Sequence, residues 1–220
     1  MHALRAGIPQ DHRDFAVLVL LSAPSFLPGV FGERVFDLME ALFQRPGNLF
    51  SHENTTFAEV DVGNARLAAA EPATAGTSTL GRRAAAGMVL GYGYSRHLEQ
   101  ELRTGMILCA RLGWGFPALL PGLLRTSSAV AHMSKGEYYV SNIAVYPQFR
   151  GEGLGSALLA SAERRAKVTG NETIVLDVET DNHQAMRLYE RRGYVRQGGA
   201  RGVGIGGRMF GFYRMAKVLE

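Results

Sequence analysis

The sequence predicts an α/β (α+β) fold: a mixed central sheet of about six to seven strands with helices on both faces. Three observations lead there. From residue 137 onward the chain reads strand, glycine loop, helix, strand, helix, strand, an order that requires parallel pairing across a helical crossover. The first hundred residues alternate short runs of helical and strand period. The composition is that of a globular chain, 46% hydrophobic and 20% charged over 220 residues, long enough for one domain to bury a core without disulfide or metal.

Taken in order, residues 2–8 form a candidate edge strand, and Pro9-Gln10-Asp11 caps a helix near 13–22. Val35, Leu38, Met39 and Leu42 share one face of a helix over 31–43, closed by Pro46-Gly47. Residues 55–62 alternate as a half-buried strand, and 84–94 form another, with Gly87, Gly91 and Gly93 leaving bare backbone. Between those two strands, 63–83 is rich in Ala, Thr, Ser and Gly and reads as a long mobile hairpin loop. Residues 95–136 read as a helical insertion between strands 3 and 4. In it Leu98, Leu102, Met106, Cys109 and Leu112 fall at the spacing of a buried seam, with Cys109 a small core residue. Residues 138–145 are a strong strand, the loop 148–155 opens an amphipathic helix that runs to about 168, and 173–178 is a buried strand. Asn182 caps a helix that stops at Gly193. The last strands come from 194–197 and 209–218, giving a single domain over 1–220.

Two apolar stretches invite a membrane reading. Pro24, Pro28, Gly29 and Gly32 interrupt 15–32, while Arg111, Gly113, Gly115, Pro117, Pro121 and Gly122 interrupt 106–124. The expectation is a soluble, cytoplasmic protein with no membrane contact. One cysteine leaves no internal disulfide and no thiol-based zinc site, and no metal is expected. A net charge of +4 is compatible with an anionic ligand but lacks the clustering of a nucleic-acid binder. Arg164-Arg165-x-Lys167 and Arg191-Arg192 are read as solvated helix faces.

The 27 glycines exceed the ordinary share of about 7%, and function is sought where they cluster. Arg150-Gly151-Glu152-Gly153-Leu154-Gly155 follows a strand and opens a helix, whose first turn offers unpaired N–H groups and the positive end of its dipole. Glycine lets a diphosphate approach the backbone, and Arg150 adds a charge-assisted contact. A tight turn that merely needs glycine is the plainer reading. No Lys-Ser/Thr follows, which excludes a Walker loop. Ser156 stands where a dinucleotide fingerprint has its last glycine. A second glycine run, 202–207, fits that fingerprint by spacing but leads into a strand, so it reads as a flexible hairpin.

Strand Asn142-Ile-Ala-Val145, the loop with Arg150, Gly151, Gly153 and Gly155, Asp177, Asn182-x-x-Ala185 and Leu188-Tyr189-Glu190-x-x-Gly193-Tyr194 together resemble the Gcn5-related N-acetyltransferase family. The C-terminal half is similar to its ribosomal-protein alanine acetyltransferase branch, from which the insertion departs. The resemblance implies an acetyltransferase-like fold. It also implies acetyl-CoA as co-substrate, held by Ile143, Ala144, Val145, Arg150, Gly151, Glu152, Gly153, Leu154, Gly155, Ser156 and Asn182. Tyr189, two turns after Asn182, is implied as the acid that protonates the departing thiolate, with a core aromatic as its plainer role. Asp177 stands at the strand position where that branch has a glutamate base. Glu137, Glu179 and His183 are rivals, and a salt bridge to an arginine is the structural alternative. Tyr194 is left to the core.

The implied activity is acetyl transfer to a primary amine (a small amine, amino acid or peptide N-terminus) by direct attack in a ternary complex, with a homodimer left open. A CoA-binding sensor or scaffold without turnover is the alternative. In 95–136, five Lys/Arg against two acids argue against a polycationic acceptor.

Overall fold

The computed structural model describes residues 2–61, 83–129 and 132–220. The strands are β1 (His2–Ala6), β2 (Thr55–Asp61), β3 (Arg83–Gly93), β4 (Glu137–Val145), β5 (Thr173–Glu179), β6 (Val195–Arg196), β7 (Arg201–Ile205) and β8 (Arg208–Val218). The helices are α1 (His12–Ser22), α2 (Phe26–Phe31), α3 (Val35–Phe43), α4 (Tyr94–Leu112), α5 (Phe116–Ala129), α6 (Leu154–Val168) and α7 (His183–Arg191).

Among the described residues one sheet of eight strands runs β1-β2-β3-β4-β5-β8-β6, with β7 also on β8. β4 and β5 are parallel and the other neighbours antiparallel. A parallel pair needs a crossover, and α6 supplies it, burying Leu154, Leu158, Leu159, Ala162 and Ala166. α1 packs against β3 and β4 and against α3, whose Val35, Leu38, Met39 and Leu42 are buried as their spacing requires.

The count of six to seven strands is corrected by β7. The glycine run read as a flexible hairpin is a strand, Arg201–Ile205, and a turn at Gly206 and Gly207, whose φ of 56° and 77° suits a tight hairpin. The expected hairpin loop at 63–83 lies outside the described residues save Arg83, which opens β3.

The larger correction concerns α4. Its apolar stripe faces out: Leu98, Leu102 and Met106 are 68%, 62% and 62% exposed, and Cys109 is exposed rather than a core residue. Gln100, Thr104 and Leu108 face in. The reason is a debt of hydrogen bonds in the segment leading into β2. Asn54 is buried and its side-chain amide donates to Gln100 Oε1 at 3.1 Å, while Leu49 N–H donates to Thr104 Oγ1 at 3.0 Å. A buried polar group without a partner costs more than a leucine gains by moving inward half-exposed, so the helix turns its polar face inward. By length and composition Tyr94–Leu124 could cross a membrane, and only 6% of its apolar window is buried. The other apolar pair, Pro9–Ser22 and Phe26–Phe43, is bent by 106° and packs its side chains into the core.

Gln100→Leu, which extends the apolar pattern, is therefore expected to destabilise the fold by about 1–3 kcal/mol, because Asn54 Oδ1 loses the Gln100 Nε2 that donates to it while Nδ2 keeps only the Asn48 and Leu49 carbonyls. Leu98→Gln should stay within about 0.5 kcal/mol. Urea unfolding of both variants checks the pair, and the opposite ranking would mean the helix face is assigned wrongly.

Candidate active site

The site begins where two strands part. Parallel pairing of β4 with β5 runs from Glu137↔Thr173 to Val140↔Leu176 and stops. β4 continues to Val145 with β3 as partner, and β5 to Glu179 with β8. Ser141 is the hinge: Val140 pairs with Gly91 and Asn142 with Leu90, so Ser141 is the extra residue of a bulge, which bends and twists the strand carrying it. The bulge is pinned by side chains. Tyr92 is hydrogen-bonded to Ser141, whose Oγ donates to Asn142 Oδ1 at 2.9 Å. Asn142 Nδ2 in turn donates to Ser22 Oγ at the end of α1, at 2.8 Å. Beyond it, the β5-facing backbone edge of Ser141–Val145 is covered by no described strand.

At the end of β4 lies the glycine loop. Arg150 is exposed, and its Nε donates to the Val145 carbonyl at 3.2 Å. Gly151 and Gly153 have φ of 83° and 78°, a region that L side chains rarely adopt. Gly153 sits at the N-cap of α6 with no side-chain cap, so the N–H groups of Leu154, Gly155 and Ser156 are left for another partner. A Cβ at Gly151 or Gly153 would meet nothing within 4 Å, whereas one at Gly155 would meet Leu188 Cδ2 at 3.2 Å. The glycines thus divide the work: two turn the chain, and Gly155 seats α6 against α7.

α7 carries the next residues. Asn182 Oδ1 accepts the Ala185 N–H at 3.1 Å, the expected N-cap. The far end closes as a Schellman motif, Tyr194 N–H to Tyr189 carbonyl and Gly193 N–H to Glu190 carbonyl, each 3.0 Å, with Gly193 at φ 84°. Tyr189 is buried, which raises its hydroxyl pKa and keeps the proton in place at neutral pH. Tyr194, its ring 5.9 Å away, belongs to the core.

A cavity of about 530 Å³ joins the parted strands to α2 and the insertion. It brings together Ile143, Asp177, Asn182 and Tyr189. The loop from Arg150 to Ser156 lies outside it, at the end of the same strand. Asp177 is buried, 3.6 Å from Arg214 Nη1 and hydrogen-bonded to Tyr139. Glu137 is drawn off by the same Arg214 at 3.0 Å, and His183 is exposed on the first turn of α7.

Two lining groups carry atoms with no hydrogen-bond partner among the described residues: His97 Nδ1 and Glu179 Oε1, both buried. The His97 ring stacks on Tyr92 at 5.6 Å and 10°. Burial lowers its pKa, against the opposing pull of Glu101, so it is neutral at pH 7. Burial, then Asp181, raises that of Glu179. His97 was not among the residues singled out from sequence. Its one signal is a histidine four residues before an acid, Glu101, at the mouth of the insertion. Among the described residues no group of three His, Cys, Asp or Glu is placed to hold a metal.

Residues 98–194 match the acetyltransferase (GNAT) family. Over that span the chain is similar to GNAT acetyltransferases. Over 58 residues, 26% of this chain and 39% of the other, it is 36% identical to N-alpha-acetyltransferase 30 of Schizosaccharomyces pombe. The chain spans about half or less of the length of the curated relatives it matches. An N-acetyltransferase from Staphylococcus aureus superposes with a TM-score of 0.67 at 17% identity, over 98% of this chain and 100% of that one. The ribosomal-protein-S18-alanine N-acetyltransferase from Escherichia coli gives 0.53 at 16%, over 100% and 95%. At such identities the likeness is one of fold. The GNAT match starts inside α4, so the matched span includes the insertion.

One consequence of this cavity can be read in stability. The raised pKa of Glu179 means the fold disfavours its carboxylate, so that contribution is absent at acid pH and grows as pH rises from the ordinary carboxylate range through the raised value. Glu179→Gln should therefore be more stable than the parent at pH 7 and equal to it near pH 4. Urea unfolding at both values checks it, and a gap independent of pH would contradict the burial of that charge.

Proposed function

We propose that this chain transfers the acetyl group of acetyl-CoA to a primary amine by direct attack within a ternary complex. The observation that carries the reading is the uncovered edge of β4, lying between an uncapped helix N-terminus and a cavity with titratable groups. Of the residues there, Ile143 and Val145 turn backbone groups to that edge, where an amide-rich arm could be held as an added strand would be, while Ala144 between them faces β3. The N–H groups of Leu154, Gly155 and Ser156, with Arg150, suit a diphosphate.

Acetyl-CoA supplies a thioester carbonyl; the chain supplies position and proton transfer. A main-chain N–H on the β4 edge is available to negative charge developing on that carbonyl oxygen. His97, neutral and with Nδ1 unpartnered, takes the proton the incoming ammonium must lose before it can attack. Tyr189 gives a proton to the leaving sulfur. Asp177 works through its contacts with Arg214 and Tyr139, setting the charge and geometry of the cavity floor rather than meeting the amine first. The relative named for N-alpha-acetyl transfer supports an amine acceptor.

A thiol-release assay with acetyl-CoA over a panel of amines tests the function, together with calorimetric binding in metal-free buffer. Acetyl-CoA at a hundred times its Kd should stabilise the fold by about 2.7 kcal/mol without divalent metal. Tyr189→Phe should lower kcat by ~10²–10⁴-fold with little change in acetyl-CoA affinity. His97→Asn should lower kcat/KM by at least ~10²-fold and remove the acid limb of its pH profile. Tight CoA binding with no release over the whole panel would leave a sensor instead of an enzyme.

A further inference from the structure

The cavity also says what kind of amine it admits, on the reading that the chain is an amine acetyltransferase. On the side away from the β4 edge its walls come from α2 (Phe26, Leu27, Val30) and from the insertion (Leu108, Phe116, Leu123). Its charged lining is one-sided: Glu101, Glu179 and the Arg214-paired Asp177 are acids, His97 is neutral, and no lysine or arginine is among the described lining residues. Among the described residues of the insertion, Arg96, Arg103, Arg111 and Lys135 are exposed, and Arg103 pairs with Glu99 at 3.3 Å.

We propose that the acceptor is a primary ammonium carried on an apolar body, with no carboxylate and no second charge near the amine. A carboxylate next to the amine would be stripped of water among acids, with no cation to meet it. A second ammonium would have to leave water against phenylalanine and leucine. An apolar chain or ring, in contrast, gains by covering those walls, at roughly 25 cal/mol per Å² removed from water. A volume near 530 Å³ is well within the range of sites that enclose a ligand of tens of atoms, so a two-carbon amine would leave it largely unfilled. Two sources share this chemistry: a free lipophilic amine, and a polypeptide N-terminus whose first side chain is apolar.

The test compares phenethylamine with phenylalanine, which differ by one carboxylate, alongside putrescine and a tetrapeptide amide beginning with Phe. Acetyl-CoA binding is measured separately, and amine binding is titrated by calorimetry with and without CoA. Expected is a kcat/KM for phenethylamine at least ~10²-fold above both phenylalanine and putrescine. Leu120→Arg, on the cavity wall and 39% exposed, should shrink the phenethylamine-to-phenylalanine ratio at least tenfold while the melting temperature holds. The peptide amide exceeding phenethylamine identifies a polypeptide N-terminus as the source; the reverse identifies a free amine. Phenylalanine or putrescine used as well as phenethylamine overturns the proposal. So does bound acetyl-CoA with phenethylamine neither reacting nor binding. Absent acetyl-CoA binding, the transferase reading falls, and the calorimetric preference for phenethylamine over phenylalanine still decides the proposal about the cavity.

Discussion

Four residue pairs hold β4 to β5, and then the two strands go separate ways around Ser141. Nearly everything at the candidate site depends on that parting. It leaves a backbone edge uncovered within a sheet that otherwise pairs its strands, and it opens the space behind that edge. Uncovered edges are a liability in most proteins, and sheets usually blunt or cover them. Here the edge is retained by construction: the bulge is tied through Tyr92, Asn142 and Ser22 to α1, while β5 is held from its other side by seven pairs with β8. Neither strand can close the gap without breaking bonds on its far side.

The same geometry explains the fate of the buried charges. Arg214 pairs across from Asp177 in the β5–β8 register and also reaches Glu137 at the start of β4, so it bridges the two strands near their paired end. That cation is shared between the two acids, so Asp177 faces the cavity already paired. The acids that remain available to a ligand are those nearer the open end, Glu101 and Glu179. The positive head group proposed for the acceptor would meet the carboxylates that Arg214 leaves over.

What the sequence revealed and what it hid follow one physical line. The stretch from β4 to the end of α7 was legible because its determinants are local. Glycines stand where φ is positive at 151, 153 and 193, an asparagine caps at 182, and tyrosine follows two turns later. The facing of α4 was hidden because its determinant is distant: Asn54 and Leu49 demand partners some fifty residues away, and a periodicity argument weighs only the helix itself. For the same reason His97 escaped notice. Apart from Glu101 four residues on, nothing nearby in sequence marks a histidine that stacks on Tyr92 and keeps Nδ1 without a partner. Asp177 could be read from sequence as either a base or half of an ion pair. Only the pairing of β5 with β8 put Arg214 beside it.

The outward-facing insertion has a bearing on how this molecule can be watched. Trp114, the sole tryptophan of the chain, stands fully exposed at the turn between α4 and α5. An indole already surrounded by water in the native state has little to gain in solvent contact on unfolding, so its emission colour is a poor reporter of the sheet. It is instead a local lamp on the tip of the insertion. Its quenching by dissolved ions would follow that tip alone, undisturbed by the rest of the protein.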